Sequence, residues 1–147
     1  MKVFLDTNII LDFYDSDRGH FRPAAIVFDL AYKGEIELSV CGLSFVNAFF
    51  ILRGKYDKTL LYEKMRFLCK LCNVTPVDTQ VVEKALALER YDFEDAVQYF
   101  SSTTIEADVI LTRDKKGFRE FDVPHMSPSD FLSQYFSQKH RNNQRKE

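Results

Sequence analysis

Short apolar runs alternate with longer stretches of helical periodicity along this chain; one of those runs leads directly into an aspartate, and another is followed by one three residues on. The runs fall at Lys2 to Leu5, Ile36 to Val40, Asn73 to Pro76 and Asp108 to Leu111, with a last one near Val123 to Met126. Their length and β-rich content suit strands. Between them the spacing predicts helices over Asn8–Tyr14, Pro23–Tyr32, Gly42–Arg53, Lys58–Cys72, Thr79–Glu89, Phe93–Thr103 and Pro128–Phe136. Pro23 and Pro128 suit first helical turns, and Gly34 suits a helix end. Alternating strands and helices build a mostly parallel sheet covered on both faces, so the expected fold is α/β, a three-layer α/β/α sandwich. In such sheets ligands gather beyond the carboxyl ends of the strands, near the point where the strand order reverses.

A chain of 147 residues, 46% apolar with 14 Phe and 7 Tyr, is long enough for one well-filled core and far from the composition of disordered chains. No internal repeat or low-complexity linker divides it. The expected organisation is one domain over residues 1–137 followed by a basic, disordered tail over 138–147. From Lys139 to Glu147 the tail holds four of the 20 Lys and Arg and one of the 22 Asp and Glu, so it carries +3 while the rest carries -5. An acidic body does not suit a metal-free nucleic-acid binder; it suits carboxylates neutralised by cations, with the tail either solvated or reaching for phosphate. No apolar run approaches the roughly 18 residues of a membrane span. The start KVFLD has no secretory h-region, which argues for a cytoplasmic protein with no membrane partner. Three cysteines make no disulfide framework and agree with a reducing compartment. Cys69 and Cys72 form a lone C-x-x-C beside the stripe Leu61, Met65, Leu68 and Cys72, which reads as core thiols rather than a zinc or redox pair.

Three carboxylates stand where chemistry would be placed. Asp6 closes the run Val3, Phe4, Leu5 and leads into the first helix, where it can serve as a helix cap or project from the sheet edge. Asp12, six residues on and out of helical phase with Asp6, suits a supporting polar role. In DFEDAVQYF, Asp92 resembles an N-cap and Asp95 stands where a capping-box acid would. Asp95 also adjoins the apolar face of Ala96, Val97 and Phe100, at the helix end whose dipole favours a carboxylate, which favours the site for Asp95 and the cap for Asp92. Asp114 follows VILTR in a strand-to-loop turn, an ordinary place for Asp. Each is ambiguous alone; their joint placement carries the argument. Carboxylates held close together raise one another's pKa unless a cation compensates, and Mg²⁺ or Mn²⁺ does so with hard oxygen ligands. Such ions attract phosphate oxygens and activate water for in-line displacement. Arg113, Lys115 and Lys116 adjoin Asp114 and can steer a nucleic-acid backbone toward it, or simply be solvated surface. His20, His125 and His140 are scattered, and no P-loop or G-x-G-x-x-G occurs, so triad and nucleotide-loop enzymes drop out.

The succession LDTN, S-x-x-N-A-F-F, D-F-E-D-A-V-Q-Y, LTRDKKGF and SPSDFL, spanning Lys2 to Phe136, resembles the PIN domain, the nuclease fold of VapC-like toxins. The resemblance implies that Asp6, Asp95 and Asp114 occupy the acidic catalytic and metal-binding positions of a Mg²⁺- or Mn²⁺-dependent endoribonuclease. It implies supporting or orienting roles for Thr7, Asn8 and Thr112, and also a homodimer and a small antitoxin partner. The family commonly has Glu on the helix after the second strand; the matching position here is Asn47. Its amide oxygen can still meet a metal directly or through water, with Ser44 nearby, but one charge and a possible base are lost. Phe45, Phe49 and Leu52 define an apolar stripe on another face of that helix. The leading expectation is therefore a toxin ribonuclease. The alternatives are a weakened or inactive PIN module that binds RNA or a protein partner, and a small α/β phosphatase or nucleotide-binding domain.

Overall fold

The computed structural model describes residues 1–90 and 92–145. Along the chain run β1 (Lys2–Leu5), α1 (Thr7–Tyr14), a 3₁₀ turn (Ser16–Arg18), α2 (Phe21–Tyr32), β2 (Glu37–Cys41), α3 (Gly42–Leu52), α4 (Lys58–Leu71) and β3 (Cys72–Thr75). They are followed by α5 (Thr79–Ala87), α6 (Phe93–Thr103), β4 (Val109–Leu111), β5 (His125–Met126) and α7 (Pro128–Gln144). The strands form one sheet in the order β3-β2-β1-β4-β5, and every pairing is parallel.

Why β1 lies in the middle is written in its residues. Val3, Phe4 and Leu5 are all fully buried, as a parallel strand covered on both faces requires. Their alternation sorts them into two cores. Val3 and Leu5 pack with residues of α1, α2, α3, α4 and α7, whereas Phe4 packs with Val81 and Ala85 of α5, Ala96 and Val97 of α6, and Phe118. These are the three layers expected. The chain builds β1, β2 and β3 outward in one direction, then returns to add β4 on the other side of β1. The strand order therefore reverses at the β1–β4 junction, and the cleft beyond their carboxyl ends is the place where this architecture collects ligands.

Some boundaries differ from the sequence expectation, each for a local reason. The fifth helix ends at Ala87 rather than Glu89 because Glu89 takes φ 49°, outside right-handed helix. Cys72 begins β3 instead of ending α4, pairing with Leu38. Cys69, expected in the core, is exposed, while Cys41 and Cys72 are buried; helical phase turns Cys69 away from the stripe of Leu61, Met65 and Leu68. The last helix continues past Phe136 to Gln144, so residues 138–144 are an exposed helical extension where an irregular tail was expected. Phe131 and Leu132 anchor α7 in the core, and an ion pair from Lys139 to Glu35 (2.5 Å) ties its later turns to the loop before β2. Residues 146 and 147 lie outside the described residues.

A candidate metal centre at the sheet edge

Asp6 leaves β1 as the N-cap residue of α1, yet its side chain makes no capping bond. It is 4% exposed, and its Oδ2 accepts a hydrogen bond from the Thr112 hydroxyl at 2.9 Å. That hydroxyl also accepts from the backbone N–H of Asp114 at 2.9 Å. Thr112 is fully buried just beyond β4, so a single side chain fixes the exit of β1 against the loop after β4. Burial pushes the Asp6 carboxyl above its ordinary value; Thr112, Gln98 and the N–H of Thr7 oppose this, and the charge of Glu94 adds to it.

From α6 come Asp95 and its neighbours. The capping bond expected of Asp92 is not made: Asp92 is the N-cap residue but its side chain makes no cap bond. Asp95 is thereby left facing the cleft. Burial first, and then the charges of Asp6, Asp114, Asp92 and Glu94, push its pKa up to about 7. Asp114 is held by an Asx-type turn, Oδ1 accepting from the N–H groups of Lys116 and Gly117, both at 3.2 Å. Its other oxygen meets Asp95 over Gly117: a Cβ at that glycine would lie 2.1 Å from Asp95 Oδ2 and 3.2 Å from Asp114 Oδ2. Only a residue without a side chain leaves the two carboxylates this room.

A cleft of about 340 Å³ at this edge is lined by Asp6, Thr7, Asn8, Asn47, Glu94, Asp95 and Gln98, with Leu11, Phe50 and Ile51 as its apolar side. Three of these residues, Thr7, Asn47 and Glu94, meet at one point. Asn47 Nδ2 donates to Glu94 Oε1 at 3.2 Å. The Thr7 hydroxyl, with one proton to give, is shared between Ser44 Oγ at 2.8 Å and the same Glu94 oxygen at 3.2 Å. Asn8 accepts from Arg18 at 3.1 Å. Asp12, 1% exposed, is gripped by Arg18 Nε at 2.8 Å and by Arg113 Nε and Nη2 at 2.7 and 3.0 Å, the supporting position its sequence phase suggested. Arg113 is thus paired with Asp12 while remaining exposed to solvent. Lys115 pairs with Asp130 at 3.1 Å, and Lys116 has no ion pair among the described residues.

Among the described residues, no three His, Cys, Asp or Glu side chains gather tightly enough to enclose a metal ion. The donors form an open cup instead, which suits a cation of the Mg²⁺ type, bound through one or two carboxylates and retaining several waters. Three observations make the fit. The donor set is oxygen only. Burial, and then the charges of neighbouring carboxylates, lift Asp95 to about 7, and a cation bound there would stabilise its charged form against both. Gln98, 1% exposed on the cleft wall, has an Oε1 with no hydrogen-bond partner among the described residues. Sequence reasoning missed Glu94, Gln98 and Gly117. A polar Gln beside the apolar face of Ala96, Val97 and Phe100 was the available signal for Gln98; nothing local marked Gly117.

Comparison with known proteins gives the frame. The chain is 23% identical over 139 residues to "Ribonuclease VapC1" of Aquifex aeolicus (strain VF5), covering 91% of this chain and 95% of that one. Among solved structures it superposes on VapBC2 from Rickettsia felis, bound to a DNA fragment from its promoter, with a TM-score of 0.65 and 12% identity, covering 86% of this chain and 98% of that chain. It also superposes on VapBC-1 from nontypeable Haemophilus influenzae with a TM-score of 0.65 and 14% identity, covering 88% and 99%. The family model described as "PIN domain" matches residues 2–116, a span that contains β1, α3, α6 and β4 with all the carboxylates of the cleft. By that match over most of its length, the chain belongs to the PIN domain family.

Proposed function

We propose that this chain is a divalent-metal-dependent endoribonuclease, working with Mg²⁺ or Mn²⁺, and the toxin half of a toxin–antitoxin pair. The observation that supports the reading is the approach of Asp6 and Asp114 to Asp95 near the β1–β4 switch point, close enough for both charges to raise its pKa, in a chain of the PIN family with a relative named as a ribonuclease. In this reading Asp6, Asp95 and Asp114 hold the cation. When bound, the cation neutralises the carboxylates, attracts phosphate oxygens and makes water a competent nucleophile near neutral pH.

The remaining residues set up the substrate. Thr112 keeps Asp6 and the Asp114 loop in register through its two hydrogen bonds. Asp95, raised to about 7 by burial and neighbouring charge, would hold the cation as its carboxylate, so loading the site would release protons below neutral pH. Lys116, and Lys115 when it leaves Asp130, draw the phosphate backbone toward the cup; Arg113 acts indirectly, braced on Asp12. Phe50 and Ile51, 64% and 54% exposed on the cleft's rim, give an unpaired base an apolar surface, with Arg53 already stacked 4.0 Å over the Phe50 ring. An acid edge beside an apolar shelf favours single-stranded or loop RNA over a small phosphate ester.

A protein partner is supported by the exposed apolar surface of Val46, Phe50 and Ile51 on α3 and Tyr62 on α4, and by structural neighbours that are toxin–antitoxin complexes. We infer a homodimer and a cytoplasmic setting from the family resemblance; among the described residues no helix is long and apolar enough to cross a membrane. The second reading, a weakened or inactive PIN module binding RNA or a protein, is favoured by the amide at Asn47. Purified protein incubated with single-stranded RNA and Mg²⁺ or Mn²⁺ separates the two. Cleavage abolished by Asp6→Asn supports the nuclease; RNA bound equally well by wild type and Asp6→Asn, with no cleavage by either, supports the module. Turnover of phosphate monoesters without RNA cleavage would contradict both.

A further inference from the structure

The acid that PIN domains commonly carry on α3 is missing here, and the structure points to where its charge has gone. At position 47 stands an amide, which brings no negative charge to the cleft. From the opposite helical layer, across the carboxyl edge of the sheet, α6 sends Glu94 to the same point. Asn47 Nδ2 and the Thr7 hydroxyl both lie 3.2 Å from Glu94 Oε1, which leaves Oε2 without a hydrogen bond among the described residues. Both Asn47 and Glu94 line the cleft that holds Asp6 and Asp95. A second, independent feature lies one turn along the same helix. Gln98 is 1% exposed, lines the cleft and has an Oε1 with no partner among the described residues, so α6 presents Glu94, Asp95 and Gln98 oxygens to one space.

We propose that Glu94 supplies the cleft's fourth carboxylate in place of the acid absent at position 47, and that Asn47 is the residue that positions it. The inference rests on the reading of the cleft as a metal centre. Asn47 in this account is no impaired ligand. Its amide is the donor that an acid at 47 would lack: a Glu there would face Glu94 with like charge, whereas Asn pins one oxygen of Glu94 and leaves the other for the ion or its waters. The negative charge of the cleft is conserved, delivered from α6 instead of α3.

Mn²⁺ binding to the purified chain by isothermal titration calorimetry, with thermal melts in EDTA to show that each variant folds, tests this without recourse to activity. Glu94 is exposed, so Glu94→Gln leaves the core intact. The expected result is a loss of Mn²⁺ affinity of about 10 to 100-fold in Glu94→Gln. The exchange Asn47→Glu with Glu94→Gln keeps the bonded pair and the total charge while moving the carboxylate to α3, and its affinity should return toward wild type. Wild-type affinity in Glu94→Gln, alongside loss of binding in Asp6→Asn, overturns the inference and leaves the metal centre standing. An exchange variant as weak as Glu94→Gln alone also overturns it. Absence of Mn²⁺ binding by the wild-type chain removes the metal-centre reading and this inference together.

Discussion

Asp95 is the residue on which the site's electrostatics can be read directly. Its ordinary pKa of 3.8 is raised to about 7 by burial and by four neighbouring carboxylates. Below the ordinary value both folded and unfolded chains hold the proton; between there and about 7 only the folded chain does. The folded state thus binds more protons across that window, and stability falls as pH rises through it. Asp6, also raised, adds in the same sense. Carboxyls held low by partners, Asp15 beside Lys55 and Glu35 beside Lys139, act in the opposite sense, but only at more acid pH. Melting in EDTA should therefore show a Tm that declines from about pH 5 to about pH 8, and saturating Mn²⁺ should remove most of the decline. A Tm in EDTA that rises over that range would contradict the pKa assignment. Gly117 makes a second test. It is not among the glycines with positive φ, so the backbone accepts alanine, but the added Cβ would fall 2.1 Å from Asp95 Oδ2. Gly117→Ala should lower RNA cleavage by about 10 to 100-fold while moving the EDTA melting temperature little. Unchanged cleavage would show that the room over Gly117 is not used.

At the level of elements, the loop between β4 and β5 carries Asp114 and Gly117, and it is fixed by Phe118. That ring is fully buried with Phe4 and Ile110, and lies 6.0 Å from Phe121 and 6.4 Å from His125. A loop residue so placed acts as a core residue. Phe118→Ala should cost about 3 to 5 kcal/mol, a Tm loss of roughly 6 to 20 °C in calorimetry. A loss within error would mean that the loop does not dock as described. Strands β1 and β4, the helix Phe93–Thr103 and the apolar stripe Leu61, Met65 and Leu68 of α4 were legible from the sequence, because apolar period acts locally. The length of α7 was not: its exposed turns have no apolar face to read, and the Glu35 that pairs with Lys139 is remote in sequence. Nor was the pinning of Arg113 by Asp12, which depends on how α1 and the loop after β4 come together in space.

For the molecule as a whole, topology does most of the positioning. Putting β1 at the centre, with β2 and β4 on either side, brings the ends of α3 and α6 from opposite layers over one sheet edge. The sequence announced Asp6, Asp95 and Asp114 as separate residues beside apolar runs; parallel pairing makes them neighbours. It equally announced Asn47 as a loss. The fold shows instead a donor to Glu94, and that could not be read from a local pattern because the two residues meet only when both helical layers are in place. The proposed chemistry requires these carboxylates to form one metal centre. A crystal of the wild-type chain soaked in Mn²⁺ tests it most directly through the anomalous signal of the ion. A Mn²⁺ peak is expected in the cleft at bonding distance from Asp6 and at least one of Asp95 and Asp114; a map with no peak there, or with Mn²⁺ bound only elsewhere on the surface, would rule the metal centre out.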